Sequence, residues 1–503
     1  MELDSLITHF RDVTTKSRAY SHAMAALYYD AQTVAPKNSV IGLSKTMGML
    51  SELDYNLTVN KEMMDCIATL HEHIEELQDP VLKREVELKY KQINRMSKLS
   101  VEDVVEFSKL QAEAESVWEQ AKNANDYSMF EPYLARIVET AIRFIKITDP
   151  DKDPYEAMLN DYEEGLKTEF LDQFFALIRD RIAVLLKKVQ NSKTVIDDSF
   201  LKLNYPVEKQ RELSDYLMKI MSINRDDCII GEVEHPFTTS NNKHDVRITT
   251  HYHEDNMVSS MYSVIHEGGH ALYELNTGDN LRDSFLASGT SMAAHESQSR
   301  FYENIIGRSK EFVELIFPKL KELFPEQLNG VTPYMFYLAI NKTEPSLIRT
   351  EADELTYSLH IMIRYELEKR LIAGTLLVKD LPMEWNKMYK EYLGVDVPDF
   401  KHGVLQDSHW AGTLIGYFPS YAIGSAYSAQ MLNTMQHNFN VFDEVKNNRL
   451  SRIVEFMTDK MYKHGMLLKA CDVVETVCNE KFDPSYYIDY LEKKYTDIYN
   501  LKS

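Results

Sequence analysis

Glycine is scarce in this chain and unevenly placed. There are 17 in 503 residues, about half the usual share of roughly 7%, and only three precede Gly231. Proline is also sparse, at 15. These residues punctuate turns, so a chain that lacks them and is rich in Leu, Lys, Glu, Met and Ala has little choice but long helices. The expected fold class is therefore mainly α. Twelve glycines fall between Gly268 and Gly424, which is where the backbone is expected to depart from plain helix. We read one unit with three parts: a helical N-terminal part (1–227), a part that holds the unusual segments (228–427), and C-terminal helices (428–503).

Residues 1 to about 230 read as successive helices. Asp79-Pro80 supplies a cap and an N1 proline, and Leu82, Val86, Tyr90 and Ile93 form an apolar stripe after it. Ser100 and Asp103 resemble a capping box for a helix carrying Val104, Phe107 and Trp118. Asp151-Lys152-Asp153-Pro154 interrupts the pattern, which resumes over 155–165 and 170–188. Between 228 and 254 short β-branched runs, Cys228-Ile229-Ile230 and Val246-Arg247-Ile248-Thr249-Thr250-His251-Tyr252, are broken by His235-Pro236-Phe237 and Asn241-Asn242. A small antiparallel β-sheet is expected there.

Charge and cysteine narrow the partners and the setting. With 56 basic and 78 acidic residues the net charge is −22, which argues against nucleic acid and anionic membrane, both of which favour positive surface. No apolar run approaches the roughly 18 residues of a membrane span. Cys66, Cys228, Cys471 and Cys478 form no C-x-x-C pair. Together with an N-terminus lacking a basic-then-apolar signal, they give a cytoplasmic expectation.

Immediately after the expected sheet comes H-E-x-x-H, at His266, Glu267 and His270. On a helix the two histidines leave one face a turn apart. That spacing lets both imidazoles reach one zinc ion, with Glu267 beside its water. Val258, Tyr262, Ile265 and Leu272 give the helix an apolar side, and Asn256 is placed to cap it. Gly268 and Gly269 inside a helix each cost about 1 kcal/mol against Ala, which implies a close approach to the backbone. Glu296 follows His270 by 26 positions, on a second helix expected over 289–307, and two His plus one Glu with an open position is a catalytic zinc arrangement. His295 is the alternative third ligand, and His251 with His253 on a strand is a weaker metal pair. Arg349 reads locally as the partner of Asp353. The run from Gly403 to Tyr427, rich in glycine, aromatics and polar tips, reads as a loop lining a cleft.

Six segments stand in order over about 175 residues: His235-Pro236-Phe237, Asp245-x-Arg247-x-Thr249, His266-Glu267-x-x-His270, His295-Glu296-Ser297-Gln298, Ile348-Arg349-x-x-Ala352-Asp353 and Gly403-x-x-Gln406-Asp407-x-His409-Trp410. Together they resemble the carboxypeptidase Taq family of zinc metallocarboxypeptidases. Tyr29 and Ala35 depart from the Trp and Met usual there, at positions that look like packing. The resemblance implies a large helical body with a deep substrate groove and the sheet beside the zinc helix. It implies His266, His270 and Glu296 as ligands, which sets His295 aside. It further implies release of single C-terminal residues with broad specificity except near proline, with Zn2+ as cofactor (Co2+ or Mn2+ as substitutes), peptides as partners, and a homodimer as a common assembly. On this footing Glu267 is the general base, and Tyr427, Tyr421 and His409 are candidates for the oxyanion donor. Arg349 is the anchor for the substrate carboxylate, followed by Arg247, and His235 is a further substrate-binding candidate. A zinc oligopeptidase or dipeptidyl carboxypeptidase would share the metal site. An aminopeptidase is disfavoured by the lack of a G-x-M-E-N segment, and a catalytically silent peptide-binding scaffold by the intact catalytic positions.

Overall fold

In the computed structural model, which describes residues 3–501, the N-terminal third is six helices. These are α1 (Leu3–Thr33), α2 (Val40–Thr58), α3 (Lys61–Glu72), α4 (Pro80–Met96), α5 (Val101–Ala124) and α6 (Tyr127–Thr148). Their starts follow the expected chemistry. Asp79 accepts the Val81 N–H at 2.9 Å with Pro80 at the first position, and Ser100 accepts the Asp103 N–H at 3.1 Å. Helices α1, α3 and α4 close around a cluster of their own that includes Phe10, Ile67, Leu70 and Val86. Helix α2 lies along α1 and buries none of its residues fully.

Less helix forms after residue 154 than the pattern predicts. Helix α7 (Pro154–Leu159) stops after six residues. Asn160 then closes a turn, donating to Leu166 O and accepting the Gly165 N–H, both at 2.8 Å. Helices α8 (Thr168–Leu177) and α9 (Ala183–Gln190) are joined by a π-helical turn, and α10 (Val207–Ile220) leads into the sheet.

The sheet holds β1 (Cys228–Glu232), β2 (Thr238–Asn242) and β3 (Asp245–Thr250) in the order β1-β3-β2. It is mixed, which corrects the antiparallel expectation. The tight turn at Lys243-His244 makes β2 antiparallel to β3. Residues 233–237 carry the chain across the far side, so β1 runs parallel to β3. Strand β2 is left at an edge.

Helix α11 (Met257–Leu275) is capped by Asn256, which accepts the Ser259 N–H. It packs on α10, β2 and β3. Helix α12 (Met292–Arg300) runs on into a π-helical turn through Ile306. The remaining helices are α13 (Lys310–Leu323), α14 (Pro333–Ile340), α15 (Glu354–Ile372), α16 (Leu381–Met388) and, after turns over 394–418, α17 (Pro419–Asn438), then α18 (Val441–Lys446), α19 (Leu450–Lys460), α20 (Val473–Cys478) and α21 (Ser485–Tyr499). No described helix is long and apolar enough to cross a membrane.

Helix α12 is wedged between α11 and α17. A Cβ on Gly269 would lie 2.6 Å from Gln298 O, and one on Gly424 would lie 2.9 Å from the Cβ of Glu296. Both distances are below any real contact, so glycine is what permits these crossings. The helix carrying Glu296 is thereby seated against the one carrying His266 and His270.

Candidate active site

His266 and His270 leave one face of α11, and Glu296 meets them from α12. A ligand atom from each lies within 4.8 Å of the others. Glu296 Oε2 stands 3.8 Å from His266 Nε2 and 3.6 Å from His270 Nε2. Tetrahedral zinc with bonds of about 2.0–2.1 Å would set its donors about 3.4 Å apart, so Glu296 stands within a few tenths of an ångström of that spacing from both imidazoles.

The remaining ring nitrogens are already engaged. His266 Nδ1 meets Glu303 Oε2 at 2.8 Å, and His270 Nδ1 meets His295 Nδ1 at 2.8 Å. His295 Nε2 in turn meets Glu274 Oε1 at 2.7 Å. These partners fix each imidazole and leave both Nε2 atoms for a cation. His295 therefore stands between His270 and Glu274, outside the trio of His266, His270 and Glu296. Glu274 and Glu303 are absent from the motif reading, although spacing signals both: Glu274 is four residues after His270 and Glu303 is seven after Glu296, on the same helix faces. Glu296 Oε1 accepts from Arg300 Nε at 2.6 Å and Oε2 accepts from Ser299 Oγ at 3.0 Å.

Burial and charge oppose one another across this cluster. Burial works against a charged His266, yet the carboxylates of Glu296 and Glu303 outweigh it and raise its pKa. Burial, then the neighbouring His295 and His266, depress His270 well below the usual histidine range. Burial also opposes ionisation of Glu303, but Arg300 and His266 hold it far below the carboxylate range.

Glu267 lines the same cavity, whose volume is about 510 Å³. Its Oε2 accepts from Thr238 Oγ1 at 2.6 Å, and burial raises its pKa. Strand β2 borders the cavity through Thr238, Thr239 and Ser240. Such an edge has backbone groups to which an extended peptide can add. The start of α17 supplies Tyr417, Ser420 and Tyr421 to the lining.

The oxyanion candidates separate. Tyr421 reaches the cavity, whereas Tyr427 is buried away from it with its ring 4.8 Å from that of Phe482. His409 stands behind Tyr421, its Nε2 3.3 Å from the phenol oxygen. Burial pushes His409 down to about 4, so it is neutral near pH 7. Tyr417, which sequence reasoning did not single out as a donor, lines the cavity with its ring 5.2 Å from that of Tyr421.

Arg349 is not paired with Asp353, which caps α15 at Leu355 and Thr356. Its Nε and Nη2 donate to Asp407 Oδ1 at 3.1 and 2.9 Å, and its Nη1 reaches Tyr357 OH at 3.3 Å. It sits one ring behind the cavity wall, 5.1 Å from the centre of Tyr421. Arg247 grips Asp245 at 2.7 and 2.9 Å and lies over Tyr29. His235 is exposed. Neither lines the cavity, although Pro236 and Phe237 do. His251 Nδ1 meets Val233 O at 2.8 Å, and His251 and His253 lie outside the metal group.

The run 403–412 is an internal brace and does not line the cleft. Val404, Leu405 and Trp410 are buried. Gln406 Oε1 accepts from Arg349 N and Arg364 Nη2, both at 2.9 Å, and Trp410 Nε1 donates to Glu368 at 2.7 Å. Its polar tips satisfy buried groups, and only the continuation at 417–421 reaches the cavity.

The chain's likenesses agree with this geometry. It is 38% identical to carboxypeptidase 1 of Bacillus subtilis over 502 residues, covering 100% of both chains. It is 33% identical to thermostable carboxypeptidase 1 of Pyrococcus furiosus, covering 95% of this chain and 96% of that one. The crystal structure of the M32 carboxypeptidase from Deinococcus radiodurans superposes with a TM-score of 0.94 at 29% identity, covering 99% of this chain and 100% of the other. Residues 9–495 match the family described as Carboxypeptidase Taq (M32) metallopeptidase. A trio able to hold a metal beside a buried glutamate, within a match of this length, leaves one conclusion: the chain belongs to the carboxypeptidase Taq family of metallopeptidases, which are peptide hydrolases.

Proposed function

We propose that the chain is a zinc-dependent carboxypeptidase that releases single C-terminal residues from peptides, with broad specificity except near proline. The observation that carries the reading is the convergence of His266, His270 and Glu296 with Glu267 in one cavity bordered by an edge strand. Zinc bound by the three would lower the pKa of a water and stabilise developing negative charge on the scissile carbonyl oxygen.

Glu267 accepts the proton of the attacking water and returns it to the leaving amine. Its bond to Thr238 keeps the carboxylate aimed into the cavity. Tyr421 donates to the developing oxyanion, oriented by neutral His409, with Tyr417 beside it. Arg349 draws in the substrate's terminal carboxylate. Asp407 holds two of its nitrogens and Tyr357 OH accepts from Nη1, so the second N–H of Nη1 is the donor offered to substrate. Strand β2 pairs with the substrate main chain, and proline lacks the N–H such pairing needs. Peptides are then the partners, and the whole chain works as one catalytic unit. Four unpaired cysteines fit a cytoplasmic setting, and a homodimer completes the reading.

The test is a time course of peptide digestion followed by mass spectrometry. A ladder losing one residue per step from the C-terminus supports the proposal. Loss of residue pairs would point to a dipeptidyl carboxypeptidase, and internal cuts to an oligopeptidase.

A further inference from the structure

The N-terminal helices enclose a second cavity, of about 270 Å³, between α1, α2, α3 and α4. That is just under the roughly 300–1,000 Å³ of pockets that take drug-sized ligands, so a smaller molecule is the fitting occupant. Its wall is split by chemistry. One part is apolar and adaptable, with Met63, Met64, Met96, Ile67 and Phe285. The other part carries Asp54, Lys89 and Arg18.

These three charges are incompletely used. Asp54 Oδ1 is buried without a hydrogen-bond partner. Among the described residues, no acceptor lies within hydrogen-bond or ion-pair distance of Lys89 Nζ, which stands 5.0 Å over the Phe285 ring. Burial lowers the pKa of Lys89, against the opposing pull of Asp54 and Glu85. Arg18 gives one bond to Arg282 O at 2.7 Å and pairs with no carboxylate among the described residues. A buried acceptor lacking a donor and a buried ammonium lacking an acceptor are each expensive. Both are relieved by one ligand that brings an ammonium and a carboxylate together.

We propose that this cavity binds a free α-amino acid with an apolar side chain, its ammonium on Asp54, its carboxylate on Lys89 and Arg18, and its side chain among Met63, Met64 and Met96. The occupant belongs to the class of molecule that a carboxypeptidase releases, yet the site is separate from the metal cavity and does not depend on the residue roles proposed above. The two cavities share a loop. Phe285 lines one, and Ser288, which lines the other, donates to Glu274 at 2.9 Å.

The test uses the full-length, zinc-loaded protein with methionine methyl groups labelled for NMR, so that the apolar wall reports directly. Met63→Leu and Met96→Leu assign the signals. L-Leucine is expected to shift the Met63, Met64 and Met96 methyls in a saturable way at millimolar concentration or below. Glycine, N-acetyl-leucine and leucinamide are expected to leave them in place, because each lacks the side chain or one of the charges. Asp54→Asn and Lys89→Met should each weaken leucine binding about tenfold or more, while Glu296→Ala should not. The proposal is overturned if leucine moves none of these methyls in the wild-type protein, or if N-acetyl-leucine moves them equally. It is also overturned if both charge variants bind leucine as the wild type does. The wild-type comparisons decide the question even where a variant folds poorly.

Discussion

Glu267 and Glu296 are both buried carboxylates in one cavity, and their neighbours divide the work between them. Glu296 is braced by Arg300 and Ser299 with Oε2 toward both imidazoles, whereas Glu267 is held by Thr238 on β2. Glu296→Ala is therefore expected to lose zinc, read by metal analysis after dialysis. Glu267→Gln is expected to keep zinc and lose turnover by about 10²-fold or more, because an amide cannot take the proton. The reverse pattern would exchange the two roles. H-E-x-x-H was legible in the sequence because its partners are local, one helical turn apart. Which tyrosine reaches the cavity was not. Tyr421 and Tyr427 are six residues apart on α17, about 600° of helix rotation, so they face different ways, and only packing decides which faces the cavity. The grip of Asp407 on Arg349 spans 58 residues, beyond any local pattern.

At the scale of elements, the crossing of α11 and α12 sets the spacing of Glu296 against His266 and His270. A methyl at Gly268 would meet the flexible end of Met221, whereas one at Gly269 would meet the backbone of Gln298 and Ser299. Gly269→Ala should therefore cost about 1–3 kcal/mol of stability and weaken zinc binding by displacing α12. Gly268→Ala should do much less of both. Equal effects in denaturant melts and metal titrations would show that the crossing is not what matters. A second element-level device is Glu163, in the turn after α7. It accepts the Ala293 N–H at the start of α12 at 2.6 Å, and burial lifts it from 4.5 to about 7. The folded chain thus holds this proton more tightly than the unfolded one. The resulting stability is full below about pH 4.5 and is lost as pH rises through about 7, a change on the order of 3 kcal/mol. Glu163→Gln keeps the acceptor but cannot titrate. Urea midpoints at pH 5 and pH 8 should show the variant gaining on the wild type at the higher pH, and parallel shifts would refute the assignment. The first and third strands were readable from β-branched runs, whereas β2 takes in Asn241-Asn242, which the sequence marks as a break. The mixed direction of the sheet was not readable, because the route of residues 233–237 across β3 leaves no mark in composition.

For the whole molecule, the shortage of glycine and proline was the reliable guide, since helices dominate wherever turns are few. The separate cluster of α1, α3 and α4 was not visible, because apolar stripes name a buried face without naming what covers it. A body of this size does not hang on one ion. Removing metal with a chelator should abolish hydrolysis and leave far-UV circular dichroism nearly unchanged, with activity restored by zinc or cobalt. Full activity in verified metal-free protein would contradict the role given to His266, His270 and Glu296. The most direct test of the central claim is the ratio of kcat/KM for a peptide ending in a free acid to that for the same peptide ending in an amide. Sensing a chain end in a partly desolvated site is worth about 2–4 kcal/mol, so the acid is expected to be cut roughly 30- to 1000-fold faster. Arg349→Ala is expected to shrink that ratio without changing zinc content. Equal cutting of acid and amide by the wild-type enzyme would contradict the account.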